Sequence, residues 1–171
     1  MANEVGWADP GVIIGQPRVQ KVEGFTYLYA EQQLVGETEV GNYIGGLHEK
    51  VESAFEELFG SVKKPAMLVM YINVPEQEKM YHVQAGYVVR PGTPAAGEAQ
   101  VRDVPPALIA SIVICGNTHS IWQSYGPLMD FMNQNCLQPL EEGWREYSLY
   151  FEGPDSMNNI TWVQHLAGET G

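Results

Sequence analysis

Glu146 is the acidic residue of this 171-residue chain whose neighbours most clearly suggest chemistry. It lies in the middle of a strand-like run of aromatic and apolar residues, 144–151. Because side chains alternate along a strand, the face of Glu146 also carries Trp144, Ser148 and Tyr150. Aromatic faces attract a flat cation by about 0.5–2 kcal/mol per contact, and desolvation disfavours a charged carboxylate until a cation compensates it. This face therefore predicts a site for cationic or aromatic small molecules.

A second interpretation of Glu146 stays open at the level of sequence. In it the side chain faces water and pairs with Arg145 or Lys79.

The other face of the same strand is the more apolar one and is expected to pack beneath the helices, which would leave Glu146 on the opposite side of the sheet. The residues of that other face are Arg145, Tyr147, Leu149 and Phe151.

The further ligand-binding candidates are aromatic or polar residues. Ser148 and Tyr150 share the strand face of Glu146, the alignment of the two repeated halves adds Tyr71, and Trp122 and Tyr27 are candidates as well. Trp122 falls in the first turn of a predicted helix, where it can cover a groove or fasten the helix to the sheet. Tyr27 shares a strand face with Phe25 and Tyr29, which either packs in the core or lines a pocket. Tyr125, Met129 and Met132 have helical spacing and are predicted to belong to the core.

Motifs for metal, phosphate or nucleophilic chemistry are missing from the sequence. The histidines form no metal-binding pair, and there is no Cys-x-x-Cys, phosphate-binding loop or Gly-x-Ser-x-Gly. Cys115 ends an apolar strand and is expected to be an inert thiol. We therefore predict no metal and no cofactor, and Glu146 is the only catalytic candidate if the protein is an enzyme.

The composition excludes several classes of partner. The chain has 21 acidic and 9 basic residues and a net charge of -12, which argues against binding to nucleic acid or to an anionic membrane. No apolar run reaches the length of a membrane span, and the start Met1-Ala2-Asn3-Glu4 does not look like a signal peptide. With only Cys115 and Cys136, a reduced cytoplasmic protein is expected; the oligomeric state is left open.

The predicted elements repeat one order. A strand at 25–31, a helix over 44–58 and a hairpin of 67–74 with 81–90 form the first set. The second set consists of a strand at 107–115, a helix containing Trp122 to Met132 with Ser120 and Gln123 spaced like a capping box, and a hairpin of 144–151 with 160–166.

The repeated order, with a proline beside each hairpin turn, indicates an internal duplication. We expect an irregular segment over 1–17 and a single domain over 18–171. Within it the first β-α-β-β module covers about 18–90, a linker covers 91–97, and the second module covers about 98–167.

Three segments resemble the GyrI-like small-molecule-binding family, which supplies the effector-binding domains of multidrug-responsive transcription activators. They are Met70-Tyr71-Ile72-Asn73 with Tyr81 to Val89, Val104-Pro105-Pro106-Ala107 leading to Cys115-Gly116, and Trp144-Arg145-Glu146-Tyr147. The resemblance covers about residues 18–167. The loop Gly116-Asn117-Thr118-His119 departs from the family, which more often has Gly-Pro-aromatic there.

The resemblance implies an α+β fold. Two β-α-β-β modules would be related by a pseudo-twofold axis, with helices on one face of an antiparallel sheet and a central ligand groove. It also implies that Glu146 is the acidic contact of the ligand. With no helix-turn-helix ahead of the domain, the protein is expected to be a stand-alone form and not itself a DNA-binding activator.

Three functions follow as hypotheses. The first is a binding protein that senses or sequesters bulky hydrophobic, aromatic or cationic compounds. The second is a hydrolase of reactive xenobiotics such as cyclopropane-bearing DNA alkylators, with Glu146 acting on water and Tyr71, Trp122 or Tyr150 holding the electrophile. The third is a haem or tetrapyrrole carrier, which is weakened by the expectation that no histidine faces the groove.

Overall fold

The computed structural model describes residues 11–169, and within them it forms a nine-stranded antiparallel sheet with two α-helices. The strands are β1 (Ile13–Ile14), β2 (Arg18–Val22), β3 (Phe25–Gly36), β4 (Met67–Asn73), β5 (Met80–Val89), β6 (Gln100–Val104), β7 (Ala107–Cys115), β8 (Leu137–Tyr150) and β9 (Ile160–Glu169). The helices are α1 (Gly41–Phe59) and α2 (Tyr125–Gln134), preceded by the 3₁₀ turns Glu37–Glu39 and Thr118–Ser124. No helix in this range is long and apolar enough to cross a membrane.

The strand order confirms the predicted duplication. The sheet runs β1-β7-β9-β8-β4-β5-β3-β6, and β2 also pairs with β7. When β3, β4 and β5 are matched with β7, β8 and β9 according to their place in each half, the order reads the same from either end. The two halves join where β4 pairs with β8, in the register Val69 opposite Glu146. Glu146 therefore lies at the seam between the two modules.

Besides β1, two longer strands escaped the sequence analysis, and both connect the halves. β2 lies at the start of the first module but pairs with β7 of the second, whereas β6 lies at the start of the second module and pairs with β3 of the first. Each is five residues long and carries charged residues. Their pairing is decided by distant partners, so local periodicity does not reveal it. The segment expected to be irregular over 1–17 contains β1, while residues 1–10 fall outside the described range.

The helices cover the face of the sheet that carries Glu146, which corrects the predicted assignment of faces. α1 buries Leu47, Val51, Ala54 and Phe55 against β3 and β5, and α2 buries Leu128 and Met132 against β7 and β8. Gly60 ends α1 with φ 74°, a backbone conformation that favours glycine.

On the opposite face of the sheet, side chains from different strands pack over one another. The Arg145 guanidinium lies 5.6 Å from the centre of the Phe25 ring, although β4 and β5 separate their strands in the sheet. Arg145 is only 4% exposed, whereas Leu149 and Phe151, which made this face look apolar, are 50% and 53% exposed. The count of apolar residues misled the prediction because two of them lie beyond the packed part of the strand.

The second helix also starts differently from the prediction. The Asn117 side chain caps the 3₁₀ turn by accepting a hydrogen bond from the Ser120 amide at 3.0 Å, in place of a Ser120–Gln123 capping box. The regular helix begins only at Tyr125.

Candidate functional site

A groove of about 1700 Å³ lies over the seam between the modules, with residues of α1, β4, β8 and the segment 118–126 in its walls. Aromatic side chains supply much of its lining: Tyr71, Tyr81, Tyr87, Trp122, Tyr125, Trp144, Tyr150 and Phe151. Its carboxylates are Glu37 and Glu146. Ligand pockets are typically about 300–1000 Å³, so this groove has room for a bulky molecule.

Two phenols hold the Glu146 carboxylate from opposite sides. The Tyr71 hydroxyl donates to Oε1 at 2.8 Å, and the Tyr125 hydroxyl donates to Oε2. Tyr71 comes from β4 of the first module, whereas Tyr125 begins α2 of the second. The carboxylate is therefore fixed in position by both halves of the duplicated fold, and it stays open to the groove.

The charge of Glu146 has no basic partner within residues 11–169. Lys79 does not pair with it, and Arg145 lies on the opposite face of the sheet beside Phe25. The Glu146 side chain does not lie on an open surface either, so the second interpretation of Glu146 does not hold. Burial raises the pKa of Glu146 above its usual range, and the hydrogen bonds from Tyr125 and Tyr71 counteract this only in part. The site is thus a desolvated carboxylate whose charged form awaits a compensating cation.

The two phenols remain protonated donors. Burial raises the pKa of Tyr71 and of Tyr125, and the nearby negative charge of Glu146 raises both further. A buried tyrosine normally finds a partner for its hydroxyl. That rule is the signal that could have separated Tyr125 from Met129 and Met132, with which it shares helical spacing.

The ring of Tyr125 is positioned by stacking. Trp144 lies parallel to it, with ring centroids 4.5 Å apart and an interplanar angle of 26°. The rings of Trp144 and His165 meet edge to face, with their centroids 4.3 Å apart. Burial lowers the pKa of His165, so the imidazole stays neutral and brings no positive charge towards the site near pH 7.

Gly143 lets β8 approach β4 closely beside the site. Its φ of 72° favours glycine, and a Cβ atom there would lie 2.3 Å from the Tyr71 carbonyl oxygen. The register between β8 and β9 shifts between Pro139 and Trp144, so the strand regains regular pairing just before Glu146. The glycine thus helps to set which face Glu146 occupies.

The rim of the groove is unusually apolar for exposed surface. Trp122 is 65% exposed and Tyr150 is 49% exposed, and both line the groove with Leu149 and Phe151. Ser148 lines it as well, one strand repeat from Glu146. The candidates Tyr71, Trp122, Ser148 and Tyr150 are therefore brought together around Glu146.

Tyr27 is the sequence candidate that lies elsewhere. It is fully buried on the opposite face of the sheet, stacks on Tyr29 with centroids 5.3 Å apart, and donates to the Leu68 carbonyl oxygen at 2.6 Å. Its strand belongs to the sheet near the groove, but alternation along the strand turns its ring away. It is a core residue in this structure.

Two histidines line the groove, contrary to the expectation of none. They are His48 of α1 and His119 of the 3₁₀ turn. The Nε2 atom of His48 lies 3.5 Å from a Glu52 carboxylate oxygen and 3.4 Å from the Tyr87 hydroxyl. Across the described residues, no group of three or more His, Cys, Asp or Glu side chains is arranged to hold a metal ion.

Comparison with known proteins identifies the architecture. No protein-family profile and no curated protein sequence matches the chain. Among solved structures, it resembles the C-terminal domain of EcmrR with a TM-score of 0.72 and 13% identity over 91% of this chain and 99% of that one. It also resembles SAV2435 bound to tetraphenylphosphonium, with a TM-score of 0.61 and 12% identity over 90% and 94% of the two chains.

A third similar structure is described as a hydrolase from Listeria innocua. Its TM-score is 0.58, with 9% identity over 90% of this chain and 92% of that one. At such identities the likeness establishes the fold, and it confirms the predicted α+β architecture over nearly the whole chain.

Proposed function

We propose that this protein is a GyrI-like binding protein for bulky hydrophobic or aromatic cations, with the Glu146 carboxylate as the counter-charge of the ligand. The observation that carries the proposal is the pair of hydrogen bonds by which Tyr71 and Tyr125 fix that carboxylate in an aromatic groove. The carboxylate has no basic partner within residues 11–169.

The physical argument rests on what a cation would gain there. A cation beside Glu146 would restore the electrostatic stabilisation that the carboxylate loses through burial. Its aromatic substituents would meet ring faces, each worth about 0.5–2 kcal/mol towards a cation. They would also cover the exposed apolar side chains of Trp122, Tyr150 and Phe151. A neutral or anionic ligand of the same shape would gain only the last of these.

The comparisons support the same class of ligand. One similar structure holds tetraphenylphosphonium, which is a bulky aromatic cation, and the chain covers 94% of that protein. Sensing and sequestration both use such binding. We propose that this domain itself has no nucleic-acid partner, because the net charge of -12 disfavours contact with phosphates.

Tetraphenylphosphonium is the direct probe of this proposal. We expect saturable quenching of tryptophan fluorescence, because Trp122 and Trp144 both line the groove. Glu146→Gln should weaken binding by at least about 30-fold, which corresponds to about 2 kcal/mol for a desolvated charge pair. The matched control is Glu57→Gln, which removes the same charge from a part of α1 outside the groove lining. Equal affinities for the two variants would refute the proposal.

A second candidate function is hydrolysis of a strained electrophile in the same groove. Two observations favour it: the pKa of Glu146 is raised by burial towards the range of a general base, and a hydrolase shares the fold. Glu146 would take a proton from water as the water oxygen bonds to a cyclopropane carbon. The ring C–C bond would break, its electron pair would pass to a conjugated carbonyl, and that enolate would then be protonated.

Mass spectrometry separates this candidate from binding alone. Incubation with a cyclopropane-bearing alkylator should give a product heavier by one water, and Glu146→Gln should abolish its formation. If the wild-type protein binds the compound and returns it unchanged, the hydrolase hypothesis fails and the binding proposal stands.

A further inference from the structure

The wall that α1 presents to the groove lacks side chains at two successive turns. Gly41 and Gly45 are four residues apart and therefore share one side of the helix. Both line the groove, together with Val40 just before the helix and Ile44 and His48 within it. The bare helix backbone is thus part of the groove surface beside the aromatic rings.

The fold itself does not require Gly45. Its φ is not in the positive range, and a Cβ atom built there meets no heavy atom of the described chain within 4 Å. This is unlike Gly86, where a Cβ would lie 1.9 Å from the Leu28 carbonyl oxygen. Glycine inside a helix destabilises it relative to alanine. Gly45 is therefore unfavourable for α1 and leaves space that nothing in the described chain occupies.

The neighbouring Gly46 provides an internal comparison. A Cβ atom there also meets nothing within 4 Å, and the residue belongs to the same helix. It lies on another side of α1, however, in a shallow surface depression with Glu49, Ser53 and Glu98. Substitutions at positions 45 and 46 thus have similar effects on helix propensity, while only position 45 borders the groove.

Gly126 at the start of α2 also lines the groove, but it has a local reason to be glycine. Pro127 follows it, and the residue before proline avoids the helical conformation when it carries a Cβ atom. The case for an effect on the groove therefore rests on α1.

We infer that Gly45 determines the width of the groove and so selects ligands thicker than a single flat ring system. This rests on the proposed function and adds a specificity-determining residue to it. Part of a non-planar ligand would occupy the space over the backbone at Gly45 while its charge faces Glu146. A side chain at position 45 would fill that space, whereas a planar cation would still fit between the aromatic rings.

The test compares one thick and one planar cation on substitutions at neighbouring positions. The probes are tetraphenylphosphonium and N-methylacridinium, titrated against the wild-type protein, Gly45→Leu and Gly46→Leu. We expect Gly45→Leu to weaken tetraphenylphosphonium binding by about 10-fold or more and to change N-methylacridinium binding by less than about 3-fold. Gly46→Leu should change neither. If Gly45→Leu and Gly46→Leu bind tetraphenylphosphonium equally well, the inference is overturned while the proposed function stands.

Thermal unfolding supplies a second readout that does not depend on a probe. Gly45→Ala and Gly46→Ala should each raise Tm by about 1–4 °C, because both remove a helical glycine from open space. A lower Tm for Gly45→Ala alone would show that the fold needs glycine there and would overturn the inference. If the wild-type protein binds neither cation, the proposed function fails first, and the inference falls with it.

Discussion

The two faces of the sheet both combine charged groups with aromatic rings, but only on one of them does a cation of the described chain lie against the rings. On the face away from the helices, the Arg102 guanidinium lies 5.8 Å and 5.6 Å from the ring centres of Tyr27 and Tyr29. Its Nε and Nη2 atoms donate to the Gln84 Oε1 atom at 3.1 Å and 2.7 Å. Gln84 in turn donates to Glu31 at 2.7 Å, so this face holds a complete network of cation, rings and carboxylate.

The groove face has rings and a carboxylate, but its lysines lie elsewhere in the lining: Lys64 pairs with Glu52 and Glu56, and neither Lys63 nor Lys64 pairs with Glu146. Tyr71, Tyr125 and Trp144 surround Glu146, and no basic side chain of the described chain pairs with it. The comparison teaches that the chain can supply, from its own side chains, the cation that a group of aromatic rings and a carboxylate needs for stability. We interpret the absence of a basic partner beside Glu146 as the place where the ligand's positive charge binds.

The largest effect is expected from replacing Arg102, the cation on the face of the sheet away from the helices. Arg102→Leu leaves the buried Gln84 side chain without two donors and the tyrosine rings without their cation. We expect a loss of about 2–4 kcal/mol in the free energy of unfolding, measured with urea, and unchanged affinity for tetraphenylphosphonium in the folded protein. Weaker ligand binding with unchanged stability would reverse the roles we give to the two faces.

A smaller effect is expected at the rim of the groove. Trp122→Ala removes a ring that is 65% exposed, so the free energy of unfolding should change by less than about 0.5 kcal/mol. Affinity for tetraphenylphosphonium should fall by about 5-fold, because one ring face is lost. The same truncation at Val62, which is exposed outside the groove lining, serves as the control and should leave binding unchanged. A large loss of stability in Trp122→Ala would mean that the ring fastens the helix instead.

The smallest effect concerns how the free energy of unfolding of the ligand-free protein depends on pH. The folded-state pKa of Glu146 is raised by burial, so its contribution to stability is fully present at low pH and is lost as pH rises through that pKa. Glu146→Gln does not titrate at this position. We therefore expect the variant to gain stability relative to the wild type as pH rises from 4 to 7, by less than the loss in Arg102→Leu. A variant that instead becomes relatively less stable over that interval would contradict a desolvated carboxylate.

Local patterns predicted the parts of the fold whose partners are close in sequence. The two hairpins, the strand β7 and the extent of α1 follow from periodicity and turn residues, and matching their order gave the duplication. β2 and β6 could not be found in this way, because each is defined by pairing with the other half of the chain. Their short, charged sequences carry little strand signal of their own.

The site was predictable at Glu146 and less so around it. A carboxylate in an aromatic strand is a local anomaly, whereas its contact with Tyr125 depends on where α2 begins and joins residues that are 21 positions apart. Tyr27 and Tyr71 look equivalent as sequence, since both are strand tyrosines. Which face each occupies depends on sheet register, and only Tyr71 points to Glu146.

The most direct test of the claim that the ligand supplies the positive charge beside Glu146 is the pKa of Glu146 itself, measured with and without a ligand. Carbon-13 NMR of the glutamate carboxyl groups, with the signal assigned by its loss in Glu146→Gln, measures this value. We predict a pKa above the usual 4.5 in the free protein and a clear decrease when tetraphenylphosphonium saturates the groove. An ordinary pKa that does not move on saturation would contradict the claim that Glu146 is the counter-charge of the ligand.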